Sequence, residues 1–450
     1  MSESSRYSEW SKEQLIAHIA ALEERKKYGL VWNEERTSEE VDAASQNSRP
    51  VLTEITQNSI NTNSDLTHVL IEGDNFHALS VLTDTNEKAV DIIYIDPPYN
   101  RGFKEGNDSR YNDKYVDRED TFRHSKWLSF MEKRLVLAKK LLKKTGIIFV
   151  SIDDNELAHL KILMDEVFGE ENYKNTIIIK RGAKNVQAQF DSIDKLYSGY
   201  EYVLFYSMHP AQRFPKMVKE LNEPKPGGWN NHWRGTNRPT MRYELFGITP
   251  ESGQWRWGRE RSLAAVENYK IMLKELGRST QELTSQELDA WFLARCTETG
   301  KEVDLLRLSN SGKPEHYVPP TDTTLLNDVW FDLAPNSTSV LKSIFGKKVF
   351  DNPKPLELIK RICKFADKNA LIVDFFAGSG TTGHAVLELN KEDGGTRQFI
   401  LATSNENNIC TEVCYPRLKM VIEGYENAKG TKVKGLGGNL KYYRAEFEDA

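Results

Sequence analysis

Short apolar runs alternate with amphipathic segments in two parts of the chain, residues 67–207 and residues 336–450. Runs such as "AVDIIYI", "GIIFVSI" and "ALIVD" are continuous, which is typical of parallel strands that are buried on both faces. Between these runs, the apolar residues Trp127, Met131, Leu135, Ala138 and Leu142 recur at helical spacing. The alternation predicts a doubly wound, mostly parallel α/β sheet that both parts of the chain build together.

The alternation stops between residues 208 and 335. That stretch contains six of the nine tryptophans of the chain, together with the basic and aromatic runs "NHWRGTNRPTMRY" and "GQWRWGRER". We therefore predict a separate domain at 208–335, inserted between a first part (67–207) and a second part (336–450) of the α/β domain.

The first 66 residues differ from both domains. The segment "SKEQLIAHIAALEERKKYGL" begins with a capping box from Ser11 to Gln14, and Leu15, Ile19 and Leu22 fall on one helical face. The polar stretch from about residue 34 to residue 63 predicts a linker. We expect residues 1–66 to form a helix and an arm.

Composition and charge exclude several classes of protein. A hydrophobic share of 39% and a charged share of 28% are typical of a globular protein. The apolar runs are too short for a membrane span, and the N-terminus lacks the core of a signal peptide, so we expect a cytoplasmic protein without a membrane partner. The four cysteines form no Cys-x-x-Cys pair, so we expect no metal. Because the net charge is −5, a nucleic-acid partner would need positive charge gathered locally.

The run "DIIYIDPPYN" places a carboxylate where a strand must end. Pro97 and Pro98 remove consecutive backbone donors, so the strand stops at Asp96. Asp96 is therefore expected at the carboxyl edge of the sheet, between rigid residues and the ring of Tyr99.

A second strand ends in a glycine turn, in "ALIVDFFAGSGTTGHAV". Gly378 and Gly380 allow the backbone to approach a ligand closely, and a helix begins near Thr381 with its N-terminus facing the turn. This geometry is typical of a nucleoside cofactor site at the edge of a parallel sheet. Glu406, at the end of the strand in "FILATSNEN", is placed to accept hydrogen bonds from ribose hydroxyls; the alternative interpretation is an ordinary loop acid.

Asp-Pro-Pro-Tyr on one strand end and Phe-Ala-Gly-Ser-Gly on another resemble the S-adenosylmethionine-dependent amino-methyltransferases of DNA. The order of the two motifs, with an insert between them, resembles the β group of these enzymes. Further stretches are similar to the modification (Mod) subunits of type III restriction–modification systems: "RKKYGLVW", "IEGDNFHAL", "DNPKPLELIKRI", "NENNICTEVCYPRLKMVIEGY" and "GLGGNLKYYRAEF". The resemblance implies a seven-stranded Rossmann-like sheet with a circularly permuted motif order.

The resemblance also implies a role for each matching position. The catalytic motif would be Asp96, Pro97, Pro98 and Tyr99. Glu406 would hold the ribose, the segment at Asp74 would border the adenine ring, and Lys354 would flank the methionine part. The residues implied to bind S-adenosylmethionine are Asp74, Asn75, Phe76, Asp96, Lys354, Pro355, Asp374, Phe376, Ala377, Gly378, Ser379, Gly380, Thr381, Thr382 and Glu406.

An exocyclic amino group needs such a motif because its lone pair is delocalised into the ring of the base. Acceptors such as the Asp96 carboxylate and the Pro97 carbonyl can take its hydrogens and direct that lone pair at the methyl group. Tyr99 would stack on a base that has left the duplex.

The insert is expected to contact double-stranded DNA, because arginine favours phosphates and guanine edges. The candidate residues are Arg234, Arg238, Arg242, Arg256, Arg259 and Arg261. The alternative interpretation is a small tryptophan-rich core with arginines on its surface.

The leading hypothesis is adenine-N6 methylation of double-stranded DNA by the modification component of a restriction–modification system. By resemblance, Asp at position 96 and Tyr at position 99 favour adenine over cytosine-N4. Methylation of RNA or of protein amides, a solitary methyltransferase without a nuclease partner, and a non-catalytic binding subunit remain alternatives. A second copy of the chain, forming a homodimer, and a restriction subunit are the expected partners.

Overall fold

The computed structural model describes residues 10–16, 48–102, 120–181, 192, 196, 198–280, 282–334 and 336–449. The chain divides into two units. The α/β unit comprises Met1–Pro215 and Asn327–Ala450, and the inserted unit comprises Lys216–Leu326.

Strands and helices of the described residues are numbered in chain order. The strands are β1 (Ser48–Glu54), β2 (Thr67–Glu72), β3 (Val90–Ile95), β4 (Leu142–Ile152), β5 (Tyr173–Lys180), β6 (Tyr200–Ser207), β7 (Val218–Lys225), β8 (Gly228–Asn231), β9 (Trp233–Arg234), β10 (Gln254–Trp255), β11 (Leu306–Leu308), β12 (Pro314–Val318), β13 (Thr321–Leu325), β14 (Val329–Trp330), β15 (Leu371–Asp374), β16 (Gln398–Thr403), β17 (Gly424–Glu426), β18 (Lys432–Lys434) and β19 (Asn439–Asp449). The α-helices are α1 (Asn75–Thr85), α2 (Arg123–Leu141), α3 (Leu157–Phe168), α4 (Arg259–Leu276), α5 (Ser285–Thr299), α6 (Ser337–Phe345), α7 (Leu356–Cys363), α8 (Thr381–Asp393) and α9 (Tyr415–Glu423).

A ten-stranded sheet forms the centre of the α/β unit, in the order β1-β19-β2-β16-β15-β3-β4-β6-β5-β14. The strands from β2 to β4 in this order are parallel neighbours, and β6 is antiparallel to both β4 and β5. The predicted doubly wound, mostly parallel sheet is therefore confirmed. Its seven central strands are extended by β19 and β1 on one side and by β14 on the other.

Burial explains why these runs form this sheet. In β3 the residues Ile92, Ile93 and Ile95 are fully buried, as expected of a strand covered on both faces. In α2, Trp127 and Met131 are fully buried, which confirms the predicted apolar face of the helix.

The register between β3 and β15 decides where the functional motifs lie. Ile372 pairs with Ile92 and Val373 pairs with Ile93, in parallel. Because parallel neighbours end at the same edge of a sheet, the residues that follow β3 and those that follow β15 lie side by side, although the two strands are far apart in the chain.

The structure differs from the predicted elements at three places. The polar stretch predicted as a linker contains β1, which pairs with β19 along its whole length; tertiary pairing rather than local pattern makes this strand. Leu142, predicted to be helical, is the first residue of β4. Trp330, predicted to lie in the insert, is in β14 and pairs with Ile179 of β5.

The predicted capping box at the N-terminus is present. The backbone N–H of Ser11 donates to Oε1 of Gln14 at 2.8 Å, and the N–H of Gln14 donates to Oγ of Ser11 at 3.2 Å. The remainder of that predicted helix, residues 17–30, lies outside the described residues.

The inserted unit has short antiparallel sheets and two helices, α4 and α5. β8, β12 and β11 form one sheet, β7 pairs with β13, and β9 pairs with β10. Thr284 and Glu287 form a capping box at the start of α5. Apolar side chains of both helices and of the small sheets bury one another in two clusters, which gives this unit a core of its own.

Among the described helices, none combines the length and the apolar character that crossing a membrane requires.

Candidate active site

A cleft opens where β3 and β15 end. Asp96 follows β3, and Asp374 is the last residue of β15. The cleft is lined by Tyr94, Asp96, Phe350, Lys354, Asp374, Phe376, Ala377, Gly378, Ser379, Thr381 and Thr382. The carboxylate of one predicted motif and the glycine turn of the other therefore share one cleft.

The glycine turn has the backbone conformation that its sequence predicts. Gly378 has φ +50° and Gly380 has φ +74°, the left-handed region that favours glycine. A Cβ atom at position 380 would also lie only 3.0 Å from Sγ of Cys414. α8 begins at Thr381, so the N-terminus of this helix lies at the cleft, with N–H groups placed to bind an anionic group.

A buried arginine from α9 holds this turn. Arg417 is 1% exposed, and its Nη1 donates to the carbonyl of Ser379 at 3.1 Å, to Oγ of Ser379 at 3.2 Å and to Oγ1 of Thr381 at 2.9 Å. Burial lowers the pKa of Arg417 to about 10, so the guanidinium stays charged at neutral pH. The turn is thus fixed by an element about forty residues further along the chain.

Asp374 lines the cleft, and only 3% of its surface is exposed. Its carboxylate accepts hydrogen bonds from the N–H of Phe376 at 3.0 Å and from the hydroxyl of Thr382. Burial outweighs these two bonds and raises the pKa of Asp374 to about 7, and the charge of Asp96 adds to the increase. A cation bound beside Asp374 would favour its ionised form.

The Asp-Pro-Pro-Tyr loop is fastened at both of its sides. Nε1 of Trp127 donates to the carbonyl of Pro98 at 2.7 Å. Asn100 is 1% exposed with φ +53°, and its Nδ2 donates to Oε1 of Glu156 at 2.6 Å. The loop is therefore held in one geometry by α2 and by the residue that precedes α3, as a preorganised acceptor site requires.

Two histidines flank the buried carboxylate of Glu156. Nδ1 of His124 lies 2.6 Å from Oε1 of Glu156, and Nδ1 of His159 lies 2.9 Å from Oε2. These ligand atoms lie within 4.8 Å of one another, a spacing that a metal ion could use. However, Nε of Arg123 donates to Nε2 of His124 at 3.1 Å, which leaves the proton of that imidazole on Nδ1. These contacts indicate that Glu156 is a hydrogen-bonded support for Asn100. Burial raises the pKa of Glu156 to about 6.

Lys354 is the centre of a buried polar cluster behind Asp96. Its Nζ lies 3.3 Å from Oδ1 of Asp96 and donates to Oε1 of Glu201 at 2.8 Å and to the hydroxyl of Tyr99 at 2.6 Å. The Tyr99 hydroxyl in turn lies 3.4 Å from Oε2 of Glu201. Burial alone would lower the pKa of Lys354, but the carboxylates of Asp96 and Glu201 outweigh it and raise that pKa above its ordinary value.

Tyr99 itself is only 4% exposed. The guanidinium of Arg101 lies 5.0 Å above its ring and is paired with Asp153 at 2.7 Å. Burial raises the pKa of Tyr99 well above its ordinary value, so the phenol keeps its proton. In this conformation the Tyr99 ring has little surface open for a base.

The segment after β2 lies against the end of β15. Asp74 caps α1 by accepting from the N–H of Phe76 at 2.8 Å. Asn75 donates to the carbonyl of Phe375 at 2.8 Å and accepts from Nε of Arg134. The Asn75 side chain thus joins the segments that follow β2 and β15. It supports the position of Phe376 through its bond to the preceding residue.

The predicted site residues fall into two groups. Nine of them line the cleft: Asp96, Lys354, Asp374, Phe376, Ala377, Gly378, Ser379, Thr381 and Thr382. The lining of this cleft does not include Asp74, Asn75, Phe76, Pro97, Pro98, Tyr99, Pro355, Gly380 or Glu406. Pro355 instead caps α7, and Glu406 begins a short turn after β16.

Sequence reasoning did not find Tyr94, Phe350, Glu201 and Arg417. Tyr94 is inside the apolar run of β3, and its hydroxyl lies 2.9 Å from Oγ of Ser151. Glu201 could have been suspected, because a carboxylate next to the apolar run "YVLFYS" must find a partner when the strand is buried.

The six candidate arginines of the inserted unit differ in their surroundings. Arg234, Arg238 and Arg259 are exposed. Arg242 donates to the carbonyl of Gly253 at 2.7 Å, and Arg261 makes two bonds to Asp304, at 2.6 and 2.8 Å. Arg256 is half-buried. Of the tryptophans, Trp255 belongs to the core of this unit at 2% exposure, whereas Trp233 is 42% exposed.

Comparisons with known proteins agree with this geometry. The profile of a family described as DNA methylase matches residues 90–413. The Mod subunit of the type III restriction-modification enzyme StyLTI from Salmonella typhimurium is 35% identical over 400 residues, 79% of this chain and 55% of that protein. The type II methyltransferase M.KpnI from Klebsiella pneumoniae is 34% identical over 363 residues, 76% of this chain and 82% of that protein. The EcoPI Mod subunit from Escherichia phage P1 is 28% identical over 415 residues, 78% of this chain and 59% of that protein. The chain thus spans little more than half the length of the two Mod subunits.

Proposed function

Because the chain belongs to the DNA methylase family, we propose that it transfers a methyl group from S-adenosylmethionine to the N6 amino group of adenine in double-stranded DNA. One observation carries this proposal. Asp96 and the glycine turn at Gly378 line the same cleft, which brings an amine acceptor next to a nucleoside site.

Members of this family use S-adenosylmethionine, which supplies a methyl group made electrophilic by its sulfonium. The cleft suits such a molecule. The N-terminus of α8 would attract its carboxylate, and the carboxyl group of Asp374 would attract its positive charges. Asp374, Phe376, Gly378, Ser379 and Thr382 would hold it, with Arg417 fixing the turn from behind.

Asp96 prepares the target amine. Its carboxylate and the backbone carbonyl of Pro97 accept the amino hydrogens, which directs the nitrogen lone pair away from the ring of the base and toward the methyl group. Trp127 and Asn100 keep these acceptors in place before the base arrives, so little reorganisation is needed when the reaction occurs. The reaction needs no covalent enzyme intermediate.

The base must leave the duplex to reach Asp96. Stacking on Tyr99, worth roughly 1–3 kcal/mol, offsets part of the unpairing cost. Since Arg101 covers the Tyr99 ring, its guanidinium must move aside when the base enters.

The inserted unit is proposed to read the DNA. Arg234, Arg238 and Arg259 are exposed and supply the locally gathered positive charge that the net charge of −5 requires. Trp233 is the exposed aromatic among them. Arg242 and Arg261 instead support the unit through their bonds to Gly253 and Asp304.

The chain is proposed to be the modification component of a restriction–modification system, with a restriction subunit and a second copy of the chain as partners. The support is its similarity to two Mod subunits and to M.KpnI. Light scattering and co-purification from the host test this assembly. A monomeric mass and the absence of any co-purifying nuclease would contradict it.

The catalytic proposal is tested with labelled S-adenosylmethionine and mixed-sequence duplex DNA. We expect the wild-type protein to label the DNA, and Asp96→Ala to abolish labelling while cofactor binding, measured by calorimetry, is retained. Asp367→Ala is the matched control, because it removes an exposed aspartate from the same unit. Full activity of the Asp96→Ala variant would show that the catalytic assignment is wrong.

A further inference from the structure

Glu201 is a buried acid close to Asp96 to which the proposed function gives no role. It is the second residue of β6 and is 9% exposed. Its carboxylate lies 2.8 Å from Nζ of Lys354 and 3.4 Å from the hydroxyl of Tyr99. A carboxylate that is buried to this extent needs partners. Its partners are Lys354, which contacts Asp96, and Tyr99, which belongs to the catalytic motif.

The cluster has an unequal number of charges. Lys354 lies between Asp96 at 3.3 Å and Glu201 at 2.8 Å, and its side chain is only 11% exposed. With both carboxylates ionised, two negative charges and one positive charge leave the cluster with one net negative charge. Without Glu201, the ammonium of Lys354 would cancel the charge of Asp96.

This balance matters because of how charge moves in the proposed methyl transfer. The lone pair of the adenine nitrogen forms the new N–C bond, the electron pair of the broken S–C bond stays on sulfur, and the nitrogen then loses one proton. Before that proton leaves, the nitrogen carries positive charge next to Asp96. A neighbouring cation without compensation would oppose this charge in a low-dielectric site.

We propose that Glu201 is a positioning residue of the methyl transfer: it compensates the ammonium of Lys354, so that Asp96 keeps its negative charge toward the incoming amine. This inference rests on the proposed function and deepens it. The proposal also gives the ammonium of Lys354 a place beside the catalytic Asp96. The sequence resemblance implied a neighbouring position, near the methionine part of the cofactor.

The proposal predicts an order of rates that a merely structural role would not give. Glu201→Gln keeps the shape of the side chain and removes its charge, so single-turnover methylation should slow by about tenfold or more, with cofactor affinity largely unchanged. The double variant Glu201→Gln/Lys354→Met removes the uncompensated cation as well. It should methylate faster than Glu201→Gln alone, because Asp96 again carries the net charge of the cluster.

The experiment measures single-turnover rates on duplex DNA for the wild type, Glu201→Gln, Lys354→Met and the double variant. Thermal melting verifies that each variant is folded. Glu171→Gln, which removes an exposed charge from the same unit, should match the wild type. Glu201→Asp keeps the charge and should be faster than Glu201→Gln, which keeps the proposal testable if one variant does not fold. A wild-type rate for Glu201→Gln, or a double variant no faster than it, would overturn this inference alone. An inactive wild type would instead overturn the proposed function.

Discussion

The pKa values of single residues in the cleft differ from their ordinary values because of where these residues lie. Asp374 is the clearest case, because burial raises its pKa from an ordinary value of 3.8 to about 7. Because the folded-state pKa lies above the unfolded value, the stability contribution of this group is complete below the unfolded pKa. It is lost as the pH rises through about 7.

We therefore expect the Asp374→Asn variant to gain stability relative to the wild type as the pH rises. The asparagine stays neutral at every pH, although it loses one of the two acceptors that Phe376 and Thr382 use. Melting temperatures measured without cofactor at about pH 5 and about pH 8 should show the difference shifting by several degrees in favour of the variant. The exposed control Asp367→Asn should show no such shift, and an unchanged difference for Asp374→Asn would contradict the assigned burial effect.

At the scale of elements, the cleft depends on helices that lie behind it. α9 contributes Arg417, whose guanidinium makes three hydrogen bonds to Ser379 and Thr381 of the glycine turn. α2 contributes Trp127, which holds the carbonyl of Pro98. Each motif that sequence analysis identified is therefore supported by an element outside that motif.

Replacing Arg417 should loosen the glycine turn and weaken cofactor binding. In Arg417→Lys, one ammonium cannot reproduce the bonds of the guanidinium, so we expect affinity for S-adenosylmethionine to fall about tenfold or more. Calorimetry measures this affinity. Lys419→Met, an exposed change in the same helix, is the control. Wild-type affinity in Arg417→Lys would show that the turn does not depend on this contact.

The pattern of apolar runs was sufficient to predict the central strands and the helices between them. It could not predict β1, because its sequence "SRPVLTE" is ordinary and the strand exists through its pairing with β19. The motifs identified the ends of β3 and β15, because prolines and glycines affect the backbone at their own positions. Glu201 and Arg417 were missed because their roles depend on contacts with residues distant in the chain.

At the scale of the whole molecule, the two units carry different features. The α/β unit holds the cleft, and the inserted unit has its own core and exposed arginines. The family match across residues 90–413 confirms the resemblance on which the sequence analysis relied.

Exposed arginines of the inserted unit should account for part of the salt dependence of DNA binding. If Arg234, Arg238 and Arg259 each neutralise a phosphate, replacing all three by alanine should reduce the slope of log affinity against log salt by about 3. Fluorescence anisotropy with duplex DNA over a salt series measures the slope. Arg278→Ala is the control, because Arg278 is paired with Glu287 at 2.8 Å in the same unit. An unchanged slope in the triple variant would place the DNA contacts elsewhere.

We propose that an adenine amino group receives a methyl group in the one cleft that the ends of β3 and β15 form. Nucleoside analysis by mass spectrometry of duplex DNA, incubated with the wild-type protein and S-adenosylmethionine, tests it most directly. We expect N6-methyladenine as the product, and none with Asp96→Ala. N4-methylcytosine, or DNA that stays unmodified while the protein binds both ligands, would contradict it.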